Sequence, residues 1–339
     1  MTQPMNWTLE DADREFFVRE LDSFVPKKIF DAHAHWYAAA HFPDDSRPLL
    51  VGTGPPVAGY ETFRRQMEEL LPGRPATHGL VFPFPNARVD VAAANQFLYD
   101  ELKNAPGCRG QMLITPATSP DAIRDAVRDH KIVGLKCYHV YSPRRPTFES
   151  PIEEYLTEDQ AAVAHDLGLS ITLHIVRLRA LADVVNQRTI VAWCRKYPNM
   201  RLILAHAARG FNPHHTIEGI GSLKGLENVW FDTSVVCDSG AIESIARTFG
   251  HRKILYGSDF PVTHMRGRCV ALGDTFFWVD RENANFDIGY ASLRLSLVGH
   301  EALRTLKVAA LGLGWTDSQV EDVFYGNAAE LYGIQQKTP

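Results

Sequence analysis

Residues 28–34 read KIFDAHA, a short and mostly apolar run of the kind a strand shows when both of its faces are buried. Seven similar runs follow. They are 78–84 (HGLVFPF), 111–117 (QMLITPA), 132–139 (IVGLKCYH), 170–175 (SITLHI), 201–206 (RLILAH), 229–235 (VWFDTSV) and 253–259 (KILYGSD). Helix-patterned segments separate them. Phe63, Met67, Leu70 and Leu71 recur at helical spacing, as do Val91, Ala94, Leu98 and Leu102. Ser119 before Pro120 marks a helix start, and Thr157 with Gln160 three residues on forms a capping-box pair. Eight strand–helix alternations predict an α/β fold of the (β/α)8 TIM-barrel type. An open doubly wound sheet gives no reason for eight units, and no GxGxxG follows the first run.

One domain is expected over 1–339, with a barrel core at about 28–333 and an insertion at about 260–315. Three connecting segments are long: 36–59 after strand 1, 139–151 after strand 4 and 260–315 after strand 8. The last is expected to carry helices of its own, including one over 290–298. Each starts at the C-terminal end of a strand, which is the catalytic face of such a barrel.

Composition narrows the function classes. The chain has 339 residues, 45% hydrophobic and 22% charged, with a net charge of −5 and a mean hydropathy of −0.18. That balance makes nucleic acid and anionic membrane poor partners, and no apolar run approaches the ~20 residues a membrane span needs. The first twenty residues are polar and acidic, unlike a signal peptide. Five scattered cysteines without a CxxC pair argue against a disulfide scaffold and make the cytoplasm the expected location.

The chemistry-bearing residues stand at the ends of these runs. His33 and His35 are two apart, so on a strand both side chains face one side and form a natural pair of ligands for a divalent ion. His174, His206 and Asp259 close the fifth, sixth and eighth runs at the same end. A carboxylate closing an apolar strand needs a strong partner, and a cation in the barrel mouth supplies one. Lys136 sits in the apolar context Gly134-Leu-Lys-Cys137.

Taken together, the HxH, the two later histidines and Asp259 resemble the amidohydrolase superfamily, and more narrowly its amidohydrolase 2 group. That group includes aminocarboxymuconate-semialdehyde and resorcylate-type decarboxylases, pyrone-dicarboxylate and sugar lactonases, and an oxalomesaconate hydratase. Gly134-Leu-Lys136, Leu-Ala-His206, Gly257-Ser-Asp-Phe-Pro261 and Gly326-Asn-Ala-Ala-Glu-Leu-Tyr332 carry the likeness, which spans roughly 28–333. The resemblance implies one divalent metal ion, with zinc expected, manganese as the alternative and a second ion less favoured. It casts His33, His35, His174 and Asp259 as the metal ligands. Asp259, His206 and Lys136 are implied as catalytic groups: a proton carrier, a residue that polarises a carbonyl or steers water, and a cationic substrate contact. In related enzymes such a lysine is instead carboxylated and bridges two ions.

Arg209, Tyr138, His139 and Trp36 are the expected substrate contacts, Arg209 through a carboxylate. Asp232 and Ser234 are expected to support the site from behind. The expected activity is hydrolysis of a small organic amide, ester or lactone by metal-activated water. The alternative is non-oxidative decarboxylation or hydration of a carboxylated ring or dienoate, and a non-catalytic binding barrel is third. The expected partner is a small molecule, with a homo-oligomer as the further expectation.

Overall fold

The computed structural model describes residues 7–281, 283–284 and 294–334. Its centre is a run of parallel strands. β1 (Asp31–Ala38) pairs with a short antiparallel β2 (Val57–Ala58) and, on its other side, with β3 (Gly79–Pro83). Parallel pairing then continues through β4 (Cys108–Leu113), β5 (Gly134–Cys137), β6 (Ser170–Leu173), β7 (Arg201–Leu204), β8 (Val229–Asp232) and β9 (Ile254–Leu255). The last strand returns to the first. Ala32 N–H donates to Tyr256 O at 2.8 Å, Asp259 N–H to His33 O at 2.7 Å and His35 N–H to Phe260 O at 2.7 Å. Those bonds close the cylinder, so the architecture is the expected (β/α)8 barrel.

The caps read from the sequence form as hydrogen bonds. Ser119 accepts from Ala122 N–H, and Thr157 and Gln160 bond reciprocally at the start of the helix Glu158–Leu167. Helix Tyr60–Leu70 buries Phe63, Met67 and Leu70. Strand ends differ from the apolar runs. β1 extends to Ala38, and β4 stops before Thr115, whose N–H donates to the Thr118 hydroxyl oxygen and opens a turn.

The insertion departs from expectation. β10 (Gly267–Leu272) and β11 (Thr275–Asp280) form an antiparallel hairpin around Gly273-Asp274 where helices were expected. Of the helix expected over 290–298, residues 290–293 lie outside the described residues and 294–296 are not helical. A helix begins instead at Val298 and runs to Leu313.

Apolar packing occupies distinct layers. The largest cluster fills the space between strands and outer helices. A second fills the barrel interior and floor, from Phe30, Leu80 and Phe82 to Tyr325, Ala328 and Leu331. The third lies at the mouth, where Phe211, Val235, Cys237 and Cys269 pack with Phe276 and Trp278 of the hairpin. The mouth thus has a wall that the barrel alone does not supply. Among the described residues no helix is long and apolar enough to cross a membrane.

Candidate active site

Strand alternation sends His33 and His35 of β1 into the mouth, above the ring of Phe82, whose centroid lies 4.9 and 4.8 Å from theirs. Asp259 follows β9 with a left-handed backbone (φ 58), and its Oδ1 lies 3.1 Å from His35 Nε2 and 3.3 Å from His33 Nε2. Gly257 permits this approach. A Cβ there would stand 2.9 Å from His33 Cβ and 3.2 Å from Ser234 Cβ.

The partners of each ring fix its tautomer. His35 Nδ1 faces the Pro83 carbonyl at 3.3 Å, and a carbonyl only accepts, so the proton sits on Nδ1 and Nε2 presents a lone pair. His33 Nδ1 faces Asp232 Oδ2 at 2.9 Å. Burial alone would raise the pKa of Asp232. The His33 and His206 interactions and the Ser234 hydroxyl outweigh it and hold that carboxylate below its ordinary value, so His33 also donates from Nδ1. Burial, reinforced by Lys136, lowers the pKa of both His33 and His35, which keeps the rings neutral. Two imidazole lone pairs and one carboxylate oxygen therefore converge, within 4.8 Å of one another, without a proton donor of their own. Burial raises the pKa of Asp259. Such a group of two nitrogens and one oxygen fits a divalent cation.

His206 follows β7 and begins a turn of four left-handed residues, His206 to Arg209, with φ of 56, 51, 60 and 58°. Non-glycine residues adopt this conformation at a cost, and such strain collects at functional sites. Asp232 Oδ1 accepts the His206 backbone N–H at 3.0 Å and so anchors the turn. His206 Nδ1 lies 3.0 Å from the Ser234 carbonyl, which places its proton there. Its Nε2 then accepts from His174 Nδ1 at 3.1 Å, leaving His174 Nε2 unprotonated. His174 stands outside the group formed by His33, His35 and Asp259 and borders it through His206. Burial pulls the pKa of His206 down to about 4. A neutral His206 protonated on Nδ1 offers only an acceptor at Nε2, and His174 Nδ1 occupies it, so the ring holds His174 in place and has no proton to polarise a carbonyl.

Lys136 on β5 is fully buried, 3.4 Å from His33 Nε2 and 4.4 Å from the Phe82 ring centre, and burial lowers its pKa to about 8. Tyr138 packs on His174 (centroids 4.8 Å apart), and His139 packs on Tyr138 and Phe148. Arg209 is buried between Phe148 and Phe276. Trp36 requires a correction. It alternates with His35, faces the outer layer and packs on Tyr60 and Phe63, so it does not line the mouth.

Three contributors escaped the sequence reading. Asp31 accepts from the backbone of His33 and Ser258 and from the Ser258 hydroxyl, tying the first strand to the last. An acid inside an apolar run was its signal. Phe82 forms the floor, and nothing in its run sets it apart. The hairpin supplies Phe276, and Gly273-Asp274 between alternating apolar residues was the signal for it.

The amidohydrolase family profile matches residues 30–334. An L-fucono-1,5-lactonase from Burkholderia ambifaria is 22% identical over 287 residues, covering 80% of this chain and 86% of that protein. A zinc-bound amidohydrolase from Burkholderia multivorans superposes with a TM-score of 0.58 at 15% identity, covering 91% of this chain and 99% of the other. A probable 2-pyrone-4,6-dicarboxylic acid hydrolase from Acinetobacter baumannii, solved with citric acid, gives 0.57 at 15% identity, covering 90% and 99%.

Proposed function

Because the chain belongs to the amidohydrolase family, we propose that it is a divalent-metal-dependent hydrolase of a small organic ester, lactone or amide. The observation that carries this reading is the convergence of lone pairs from His33, His35 and Asp259 in a buried mouth. These residues would hold a single ion, with zinc expected and His174 as the fourth donor. Such an ion would supply Lewis acidity, lowering the pKa of a water and polarising a carbonyl oxygen.

This chain's own groups do the rest. Asp259 accepts the proton of the attacking water and returns it to the leaving oxygen or nitrogen; burial raises its pKa, which suits a carboxylate that must give the proton back. His206 accepts the His174 Nδ1 hydrogen bond at its Nε2 and so keeps His174 Nε2 available as a donor. Asp232 keeps the proton of His33 on Nδ1 and so keeps Nε2 available. Lys136 adds positive charge beside His33. The lactonase relative supports a cyclic ester as the first substrate to try.

The same residues suit decarboxylation or hydration, with Asp259 protonating carbon, so the test reads the product. Turnover in H₂¹⁸O is expected to place ¹⁸O in the cleaved acid, with about one divalent ion per chain by elemental analysis. Release of CO₂ with no solvent oxygen incorporated would replace hydrolysis by decarboxylation. Full turnover after complete chelation would remove the metal from the reaction.

A further inference from the structure

Beside this mouth lies a buried cation with no counter-charge among the described residues. Arg209 is 8% exposed. Its Nη1 donates to the Arg177 carbonyl at 2.9 Å, and its buried Nε meets no acceptor. Among the described residues no carboxylate pairs with it. The guanidinium carbon stands 5.6 Å from the ring centre of Phe148 and 5.2 Å from that of Phe276. Aromatic faces attract a cation but replace only part of its lost hydration. A guanidinium fork left open in such a bracket matches a planar carboxylate, which takes two parallel N–H bonds.

Three separate elements build the bracket. Arg209 ends the left-handed turn after β7, Phe148 comes from the segment after β5, and Phe276 comes from the hairpin. The hairpin tip is pinned. Asn212 Nδ2 donates to Gly273 O at 3.0 Å and Thr275 O at 2.9 Å, while Asp274 meets His215 at 3.0 Å and Arg179 at 3.3 Å. Contact with the reacting groups is continuous: Phe148 packs on His139, and His139 lies 5.9 Å from His174.

Resting on the reading of the mouth as a hydrolytic site, we infer that Arg209, bracketed by Phe148 and Phe276, is a carboxylate subsite that selects small organic acids as substrates. Phe276 makes the hairpin a specificity element. Its ring excludes water from the guanidinium, so an uncharged analogue leaves that group unpaired and is rejected.

The experiment is calorimetric titration of the full-length protein with benzoate and with benzamide, which share a size and differ in charge. Benzoate is expected to bind at least about ten-fold more tightly. Arg209→Met is expected to erase that preference, Arg209→Lys to keep part of it, and Phe276→Leu, placed outside the barrel, to reduce it several-fold. Equal binding of the two ligands by the wild type overturns the subsite. So does a preference that survives in Arg209→Met, or one that is unchanged in Phe276→Leu. The readout needs no turnover. A preserved preference without any hydrolysis would count against the reaction and leave the subsite standing, and hydrolysis of neutral lactones without the preference would do the reverse.

Discussion

Asp232 accepts from His33 Nδ1, from the backbone N–H of His206 and Ser234, and from the Ser234 hydroxyl. One carboxylate therefore sets the tautomer of His33 and anchors the strained turn that begins at His206. Asp232→Asn would put an amide N–H₂ against one of these donors. We expect metal affinity to fall by about 10–100-fold, read by competition with a chromogenic chelator. Unchanged affinity would show that Asp232 does not orient His33. Asp259→Asn keeps the shape and loses the proton acceptor. Its kcat is expected to drop by about a hundred-fold or more with the far-ultraviolet circular dichroism unchanged, and near-normal turnover would exclude Asp259 as proton carrier.

The β9 terminus and the turn after β7 show how local backbone makes the site. Gly257, just past β9, lies against His33 because it has no Cβ. Gly257→Ala would force His33 or Ser234 aside, since neither contact involves the far end of a flexible side chain. A stability loss of about 1–3 kcal/mol is expected in urea unfolding, together with weakened metal binding. Wild-type values for both would mean that the strands part without cost. The turn from His206 to Arg209 is held by the Asp232 contact, by the Thr216 hydroxyl on Ala207 O at 2.9 Å and by Arg209 on Arg177 O. These bonds compensate a conformation that no residue in the turn favours.

Across the complete barrel, the first and last strands meet where His33, His35 and Asp259 converge. An ion held by His33, His35 and Asp259 would bridge β1 to the segment after β9. Chelation should therefore lower the Tm, and re-addition of zinc should restore it. A Tm insensitive to chelation in protein shown to contain the ion would contradict this. The N-terminal segment adds a second long-range tie. Asp13 pairs with Arg266 through contacts of 2.8 and 2.5 Å in a buried setting. Burial alone would raise the Asp13 pKa, but the Arg266 hydrogen bonds outweigh it and hold the carboxylate below its usual value. A depressed folded pKa contributes stability that is present above the unfolded value of about 3.9 and is lost as pH falls through the folded one. The Tm gap between wild type and Asp13→Asn should thus be open at pH 7 and narrow below about pH 4. A gap that persists at pH 3 would assign it to packing and not to charge.

Local sequence was enough for the barrel and for picking out the polar residues that gather at its mouth. Buried parallel strands must be apolar throughout, and polar residues at their ends stand out: His33, His35, His174, His206 and Asp259 were visible for that reason. Helix caps were equally legible at Ser119 and Thr157, because capping is satisfied by neighbours in the chain. Other features depend on residues far apart. The tautomers of His33 and His206 follow from Asp232 at the end of β8 and Ser234 just beyond it. Trp36 faces outward because β1 runs on to Ala38 without changing its alternation. Arg209 became a bracketed cation only when the hairpin folded over it, since burial and hydrogen-bond partnership belong to packing between distant segments and leave no trace in the composition of any one of them.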